Sequence, residues 1–147
     1  MTPDQARHVT FSFGRVFPYR AKLVSTFYEE LFELAPGVRS LFPEDMTDQR
    51  EKLLSTLNTV VTNLTELDKI IDAVRALGMR HVEYGATPAH YEVVGLALVT
   101  ALKRSTPGGL SKEEEHAWVT AYQLLSSTMI EAAEHHAGEG DQQAKSA

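Results

Sequence analysis

The chain has 147 residues, the size of one domain, and its 20 acids against 14 bases leave a formal net charge of −6. It has no cysteine, which excludes disulfides, thiolate metal sites and cysteine nucleophiles. No basic run marks a nucleic-acid surface, no apolar run approaches the roughly 20 residues that span a bilayer, and the N-terminus lacks the unbroken apolar segment of a signal peptide. The expectation is a soluble cytoplasmic protein without nucleic-acid or membrane partners.

The prolines fall between periodic segments, the punctuation of an all-helical chain. In the opening TPDQ, Thr2 is a candidate N-cap, Pro3 suits the first helical position and Gln5 completes a capping-box pattern. Ala6, Val9, Phe13, Val16 and Phe17 follow at steps of three and four, and Pro18 ends or kinks this helix. A second helix is expected from Tyr19 to Leu34, with Leu23, Phe27, Leu31 and Leu34 as its main apolar stripe and Tyr28 widening it. Pro36-Gly37 breaks it, and PGVRSLFP reads as a short helical turn. The third helix is expected to be capped by Thr47 or Asp48. Leu53, Leu57, Val60, Val61 and Leu64 form its buried face, and Gln49, four residues before Leu53, projects from the same face.

Leu67, Ile70, Ile71, Val74, Leu77 and His81 mark a fourth helix, with His81 on its apolar face in the last turn. Gly78 precedes the histidine by three residues and is expected to leave space beside it; Gly85 is expected to turn the chain out of the helix. Thr87 and Pro88 start a fifth helix that directs Tyr91, Val94, Leu98, Ala101 and Leu102 inward. Ser111 to Glu114 forms another capping box, opening a last helix with Trp118, Ala121, Tyr122, Leu125, Met129 and Ala132 on its stripe. Residues 1–136 read as one domain and 137–147, small and polar, as a disordered tail. The loops differ in length and chemistry, which favours an irregular helical sandwich over a symmetric bundle.

Six histidines are present, and only His81 lies on a strong apolar stripe; His135 and His136 are adjacent and diverge by about 100° on a helix. An apolar-faced histidine is either a satisfied core residue or a ligand. Tyr28 and Gln49 place polar groups on the buried faces of two further helices. One histidine cannot hold zinc, which takes three or four ligands, but it can hold haem iron, for which the porphyrin supplies four. No paired carboxylates, hydrolase triad or phosphate-cradling glycine loop stands out.

Four stretches resemble the globins, in particular bacterial single-domain haemoglobins and the globin domain of flavohaemoglobins. They are FYEELFELAPGVRSLF (Phe27 to Phe42), DQREKLLSTL (Asp48 to Leu57), RHVEYGATPAHYEVVG (Arg80 to Gly95) and HAWVTAY (His116 to Tyr122), in family order and at family spacing. The resemblance covers about residues 3 to 133. It implies an all-α globin fold of six to eight helices around haem b (iron protoporphyrin IX). By the same resemblance His81 matches the proximal iron ligand, Phe42 the phenylalanine that stacks on the porphyrin, Tyr28 and Gln49 the distal pair, Leu53 the apolar residue over the iron, and Tyr91 a tyrosine that helps orient the histidine. The chain departs from flavohaemoglobins at Ala133, where those proteins carry a glutamate that strengthens the proximal ligand. Glu131 and Glu134 are expected to point elsewhere.

The implied function is reversible binding of dioxygen, among other diatomic ligands, at a five-coordinate iron, with Tyr28 and Gln49 donating hydrogen bonds to the ligand. The alternatives are a nitric oxide dioxygenase served by an external reductase, since no reductase domain is expected after the globin segment, and a haem-based gas sensor. The other ring nitrogen of His81 should bond a backbone carbonyl of its own helix or a nearby side chain. Tyr28 and Gln49 could instead bond each other and close the site.

Overall fold

A computed structural model describes residues 1–135 in full and the helical backbone as far as Ser146. The disordered tail expected over 137–147 lies outside the fully described residues. Six α-helices follow in the order α1 (Pro3–Val16), α2 (Arg20–Leu34), α3 (Thr47–Thr62), α4 (Ile71–Glu83), α5 (Pro88–Ser105) and α6 (Lys112–Ser146). Short 3-10 segments cover Phe17–Tyr19, Pro36–Leu41 and Leu67–Lys69, and there is no strand among the described residues.

The punctuation explains most boundaries. Thr2 and Gln5 close a reciprocal capping box at α1, and Ser111 and Glu114 do the same at α6. At α5 the Thr87 amide donates to Nδ1 of His90, so that histidine serves the cap. Pro18 produces a single 3-10 turn between α1 and α2, which turns Phe17 outward and leaves it exposed beneath Arg20. Two expectations are corrected. The N-cap of α3 is Met46 and not Thr47 or Asp48; from just ahead of it the Asp45 carboxylate accepts from the Thr47 amide at 3.0 Å and hydroxyl at 2.7 Å. The fourth helix starts at Ile71, because Leu67–Lys69 forms its own tight turn first.

The core gathers Val9, Phe13 and Val16 of α1, Leu23, Phe27 and Leu31 of α2, and Leu98, Ala101, Leu102 and Trp118 of α5 and α6. Leu34, placed by periodicity on the α2 stripe, is exposed at the helix end. The buried Trp118 indole donates to Ser12 Oγ at 2.8 Å, and that hydroxyl donates on to the His8 carbonyl at 2.6 Å. This chain satisfies polar groups that burial would otherwise penalise. Arg15 pairs with Glu114 and donates to the Gly109 carbonyl, tying the end of α1 to the start of α6.

α2 packs along α5 and α4 along α6, whereas α3 and α4 make almost no contact with each other. Their apolar stripes are correspondingly unfinished. Leu53, Leu54 and Val60 of α3 remain half-buried, as do Ile71, Leu77 and His81 of α4. That open seam is where the site is built.

Gly78 corrects a further expectation. A Cβ there would lie 2.5 Å from the Met129 carbonyl oxygen and 2.7 Å from its Cα. The glycine makes no room for the histidine; it lets α4 lie against the backbone of α6, fixing the helix that carries His81. Gly78→Ala gains helix propensity of up to about 1 kcal/mol but overpacks the contact at a cost of about 1–3 kcal/mol. A net loss of stability is predicted, read as a lowered Tm in thermal unfolding; an unchanged or raised Tm would show that the two helices separate freely.

Candidate functional site

His81 sits in the last turn of α4. Its Nδ1 lies 2.8 Å from the carbonyl oxygen of Leu77, one turn earlier. A carbonyl only accepts, so Nδ1 carries the hydrogen and donates. In the neutral ring Nε2 then holds a bare lone pair. The helix end is fixed independently. The Ala86 amide donates to the His81 carbonyl at 2.9 Å and the Gly85 amide to the Val82 carbonyl at 3.0 Å, with Gly85 at φ +88°. This is the Schellman arrangement, and it needs the left-handed backbone that glycine adopts without strain. The imidazole is thus fixed in orientation by Leu77 and its helix end by Gly85.

Beside it stands Tyr91 of α5, its ring 6.3 Å from that of His81 and tilted by 35°. The hydroxyl of Tyr91 does not hold His81. It is buried and has no hydrogen-bond partner among the described residues, a condition that costs about 1–3 kcal/mol where it persists. Burial raises the phenol pKa, so the hydroxyl stays a donor. The main chain of Tyr91 is anchored from behind, because the buried Tyr122 hydroxyl donates to its carbonyl at 2.6 Å. Burial, then the nearby Tyr91, push the Tyr122 pKa up as well. Gly95 admits the Tyr122 ring: a Cβ there would come within 2.7 Å of it.

Tyr91 also lines a cavity of about 170 Å³ with Val82, Pro88, Ile130, Ala133 and Glu134. Ala133 leaves this space, and Glu134, expected to point elsewhere, is part of its wall.

On α2 and α3 the polar pair comes together. Tyr28 is 4% exposed, and its oxygen accepts from Gln49 Nε2 at 3.2 Å. Its own hydrogen points to the Gln49 backbone carbonyl at 3.4 Å, a long bond. Burial raises the Tyr28 pKa, partly offset by the Gln49 bond and the charge of Arg50, so this hydroxyl is also protonated near neutral pH. Phe42 packs edge-on to Tyr28 at 5.7 Å and to Phe32 at 5.4 Å. Arg39 lies over Phe32 and donates to the carbonyls of Pro43 and Glu44, holding the turn that carries Phe42. Leu53, one turn after Gln49, rests half-buried against the core.

Tyr28, Gln49 and Phe42 therefore share one cluster, and His81 and Tyr91 another. Leu77 was not legible as a named residue, although the i−4 carbonyl is the nearest acceptor for a histidine in a helix. Gly95 and Glu134 carried no periodic signal. Among the described residues no cluster of three or more histidines and acids could hold a metal ion, and no helix is long and apolar enough to cross a membrane.

The globin family model matches residues 25–129, and the chain belongs to the globin family. It is 29% identical over 128 residues to a flavohemoprotein of Bacillus subtilis, covering 79% of this chain and 32% of that protein. It is 28% identical over 109 residues to an uncharacterized globin-like protein of Aquifex aeolicus, covering 74% and 77%. The chain thus spans about a third of the length of the flavohemoproteins it matches. Among solved structures, a bacterial globin of Campylobacter jejuni superposes with a TM-score of 0.82 at 21% identity over 93% of this chain and 99% of that one. An engineered carbene transferase from Rhodothermus marinus, provisionally assigned as a nitric oxide dioxygenase, superposes equally well at 25% identity over 95% and 99%.

The family implies a haem, and the residues present fit one. A flat apolar group suits the unfinished stripes of α3 and α4, and the bare Nε2 of His81 is a suitable nitrogen donor. His81→Ala is predicted to abolish stable haem uptake, with recovery on adding imidazole, in a haem titration followed by absorbance. Unchanged affinity and spectrum would remove His81 from the site.

Proposed function

We propose that the chain binds haem b through Nε2 of His81 and reversibly binds dioxygen, with Tyr28 and Gln49 as the stabilising donors. When bound, haem would supply an iron able to take a diatomic gas. The Tyr28–Gln49 pair is the observation that carries the reading. The two residues bond each other, yet this does not exhaust them. Gln49 Nε2 donates to the Tyr28 oxygen, while the Tyr28 hydrogen is held only by the long contact to a backbone carbonyl. A hydroxyl has one hydrogen and two acceptor lone pairs. Tyr28 can turn its hydrogen to a guest and still accept from Gln49, and the bond it receives polarises the one it gives.

Phe42 and Leu53 contribute an apolar surface that favours a small neutral gas over water. A hydrogen bond to a partner carrying negative charge is worth about 1.5–3 kcal/mol, which slows release by about ten- to a hundredfold.

A nitric oxide dioxygenase that draws electrons from an external reductase is the second reading. It is supported by the flavohemoprotein relatives and by the solved Rhodothermus marinus relative. The residues it needs are the same, so turnover separates the two. Nitrate formed from nitric oxide in a single round favours binding; sustained nitrate production with a generic reductase favours the enzyme.

Tyr28→Phe is predicted to raise the dioxygen release rate at least several-fold in stopped-flow displacement. Gln49→Leu raises it less, and the double variant falls short of the product of the two. An unaltered rate in Tyr28→Phe would mean that its hydroxyl does not reach the ligand.

A further inference from the structure

A cleft of about 330 Å³ opens where α2, the turn after it and the start of α3 meet, and Tyr28 lines it. The charged residues around it come from each of those elements: Glu29 from α2, Arg39, Glu44 and Asp45 from the turn, and Arg50 from α3. Two of them are committed. Arg39 donates to the carbonyls of Pro43 and Glu44, and the Asp45 carboxylate accepts from Thr47. Arg50 is exposed, and among the described residues its side chain makes no ion pair or hydrogen bond. It directly follows Gln49, which meets Tyr28 through both its amide and its backbone carbonyl. Burial raises the Tyr28 pKa, and the Gln49 bond and then the charge of Arg50 pull it back. The charge that reaches the phenol is therefore a positive one, despite the carboxylates of Glu29 and Glu44 in the same cleft.

We infer that Arg50, which shares this cleft with Tyr28, polarises the Tyr28 hydroxyl and so biases the site toward dioxygen over carbon monoxide. The inference rests on the haem-binding reading with Tyr28 as the donor. A positive charge beside a phenol draws electron density from its O–H bond and strengthens the hydrogen bond it gives. Dioxygen takes up negative charge on binding and gains from a stronger donor; carbon monoxide takes up little. Arg50 touches no ligand and is a positioning residue for the Tyr28 donor. Its exposed place keeps the guanidinium hydrated, so no desolvation cost opposes the effect. The same exposure screens the charge, which limits the coupling to about two- to fivefold and makes it fall with added salt.

The test compares haem-loaded Arg50→Gln with Arg50→Lys, which keeps the charge, and with Lys112→Gln, which removes one charge at the exposed start of α6. Arg50→Gln is expected to speed dioxygen release about two- to fivefold at low salt and to leave carbon monoxide release nearly unchanged. Arg50→Lys is expected to keep most of the parent rate, and Lys112→Gln all of it. In the Tyr28→Phe background Arg50→Gln adds nothing further. Equal changes for both gases, an equal effect of Lys112→Gln, or a full effect of Arg50→Gln without the Tyr28 hydroxyl would overturn the inference. A second readout is carbon NMR of ring-labelled tyrosine in the protein loaded with haem and carbon monoxide, the Tyr28 line being the one lost in Tyr28→Phe. Its titration midpoint is expected to rise in Arg50→Gln and to hold in Arg50→Lys; a midpoint unmoved by Arg50→Gln refutes the coupling. If Tyr28→Phe itself leaves dioxygen release unaltered, the reading of Tyr28 as donor fails instead.

Discussion

The hydrogen bond from His81 Nδ1 to the Leu77 carbonyl is the constraint on which the rest of the site depends. It converts an imidazole with two interchangeable nitrogens into one with a fixed tautomer and an outward lone pair. A lone nitrogen donor suits a metal that arrives with its other ligands in place. The acceptor is a backbone carbonyl, so the device is a property of helical geometry and needs no further side chain.

Two glycines set the packing of α6 around that bond. Gly78 lets α4 lie against Met129 of α6, and Gly95 lets Tyr122 of α6 reach across α5 to the Tyr91 carbonyl. The long last helix thereby fixes both the element carrying the histidine and the tyrosine beside it. The second cluster is organised by side chains. Phe42 meets Tyr28 and Phe32 edge to face, the Tyr28 and Phe32 rings are tilted to each other by 32°, and Arg39 clamps the turn that delivers Phe42. One cluster is set by helix packing, the other by aromatic contacts. Between them α3 and α4 stay apart.

The helices and most of their starts were legible because proline, glycine and capping residues act locally. Thr2–Gln5, Thr87 and Ser111–Glu114 need only their own turn. The start of α3 was misplaced because Met46 carries no capping side chain and Asp45 acts from two residues ahead of the Thr47 it bonds, where Thr47 and Asp48 offered themselves first. His81, Tyr28 and Gln49 stood out as polar residues on apolar stripes, a signal of period alone. The backbone acceptor for His81 was expected and the Tyr28–Gln49 bond stood as an alternative, but period did not choose between that bond and a free pair. The closeness of Gly78 to Met129 and the presence of Glu134 beside Tyr91 were not legible, because both join helices distant in sequence. Periodicity says which face is inward; it does not say which inward residues meet.

The central claim is that His81 alone holds a haem iron and leaves one position for a gas. It is tested most directly by the absorption spectrum of the purified protein, reduced without oxygen and then exposed to it. The account predicts an intense Soret band, a five-coordinate high-spin spectrum when reduced, and a reversible change on adding dioxygen. A protein without a Soret band, or a reduced form already six-coordinate through a second histidine, would contradict it.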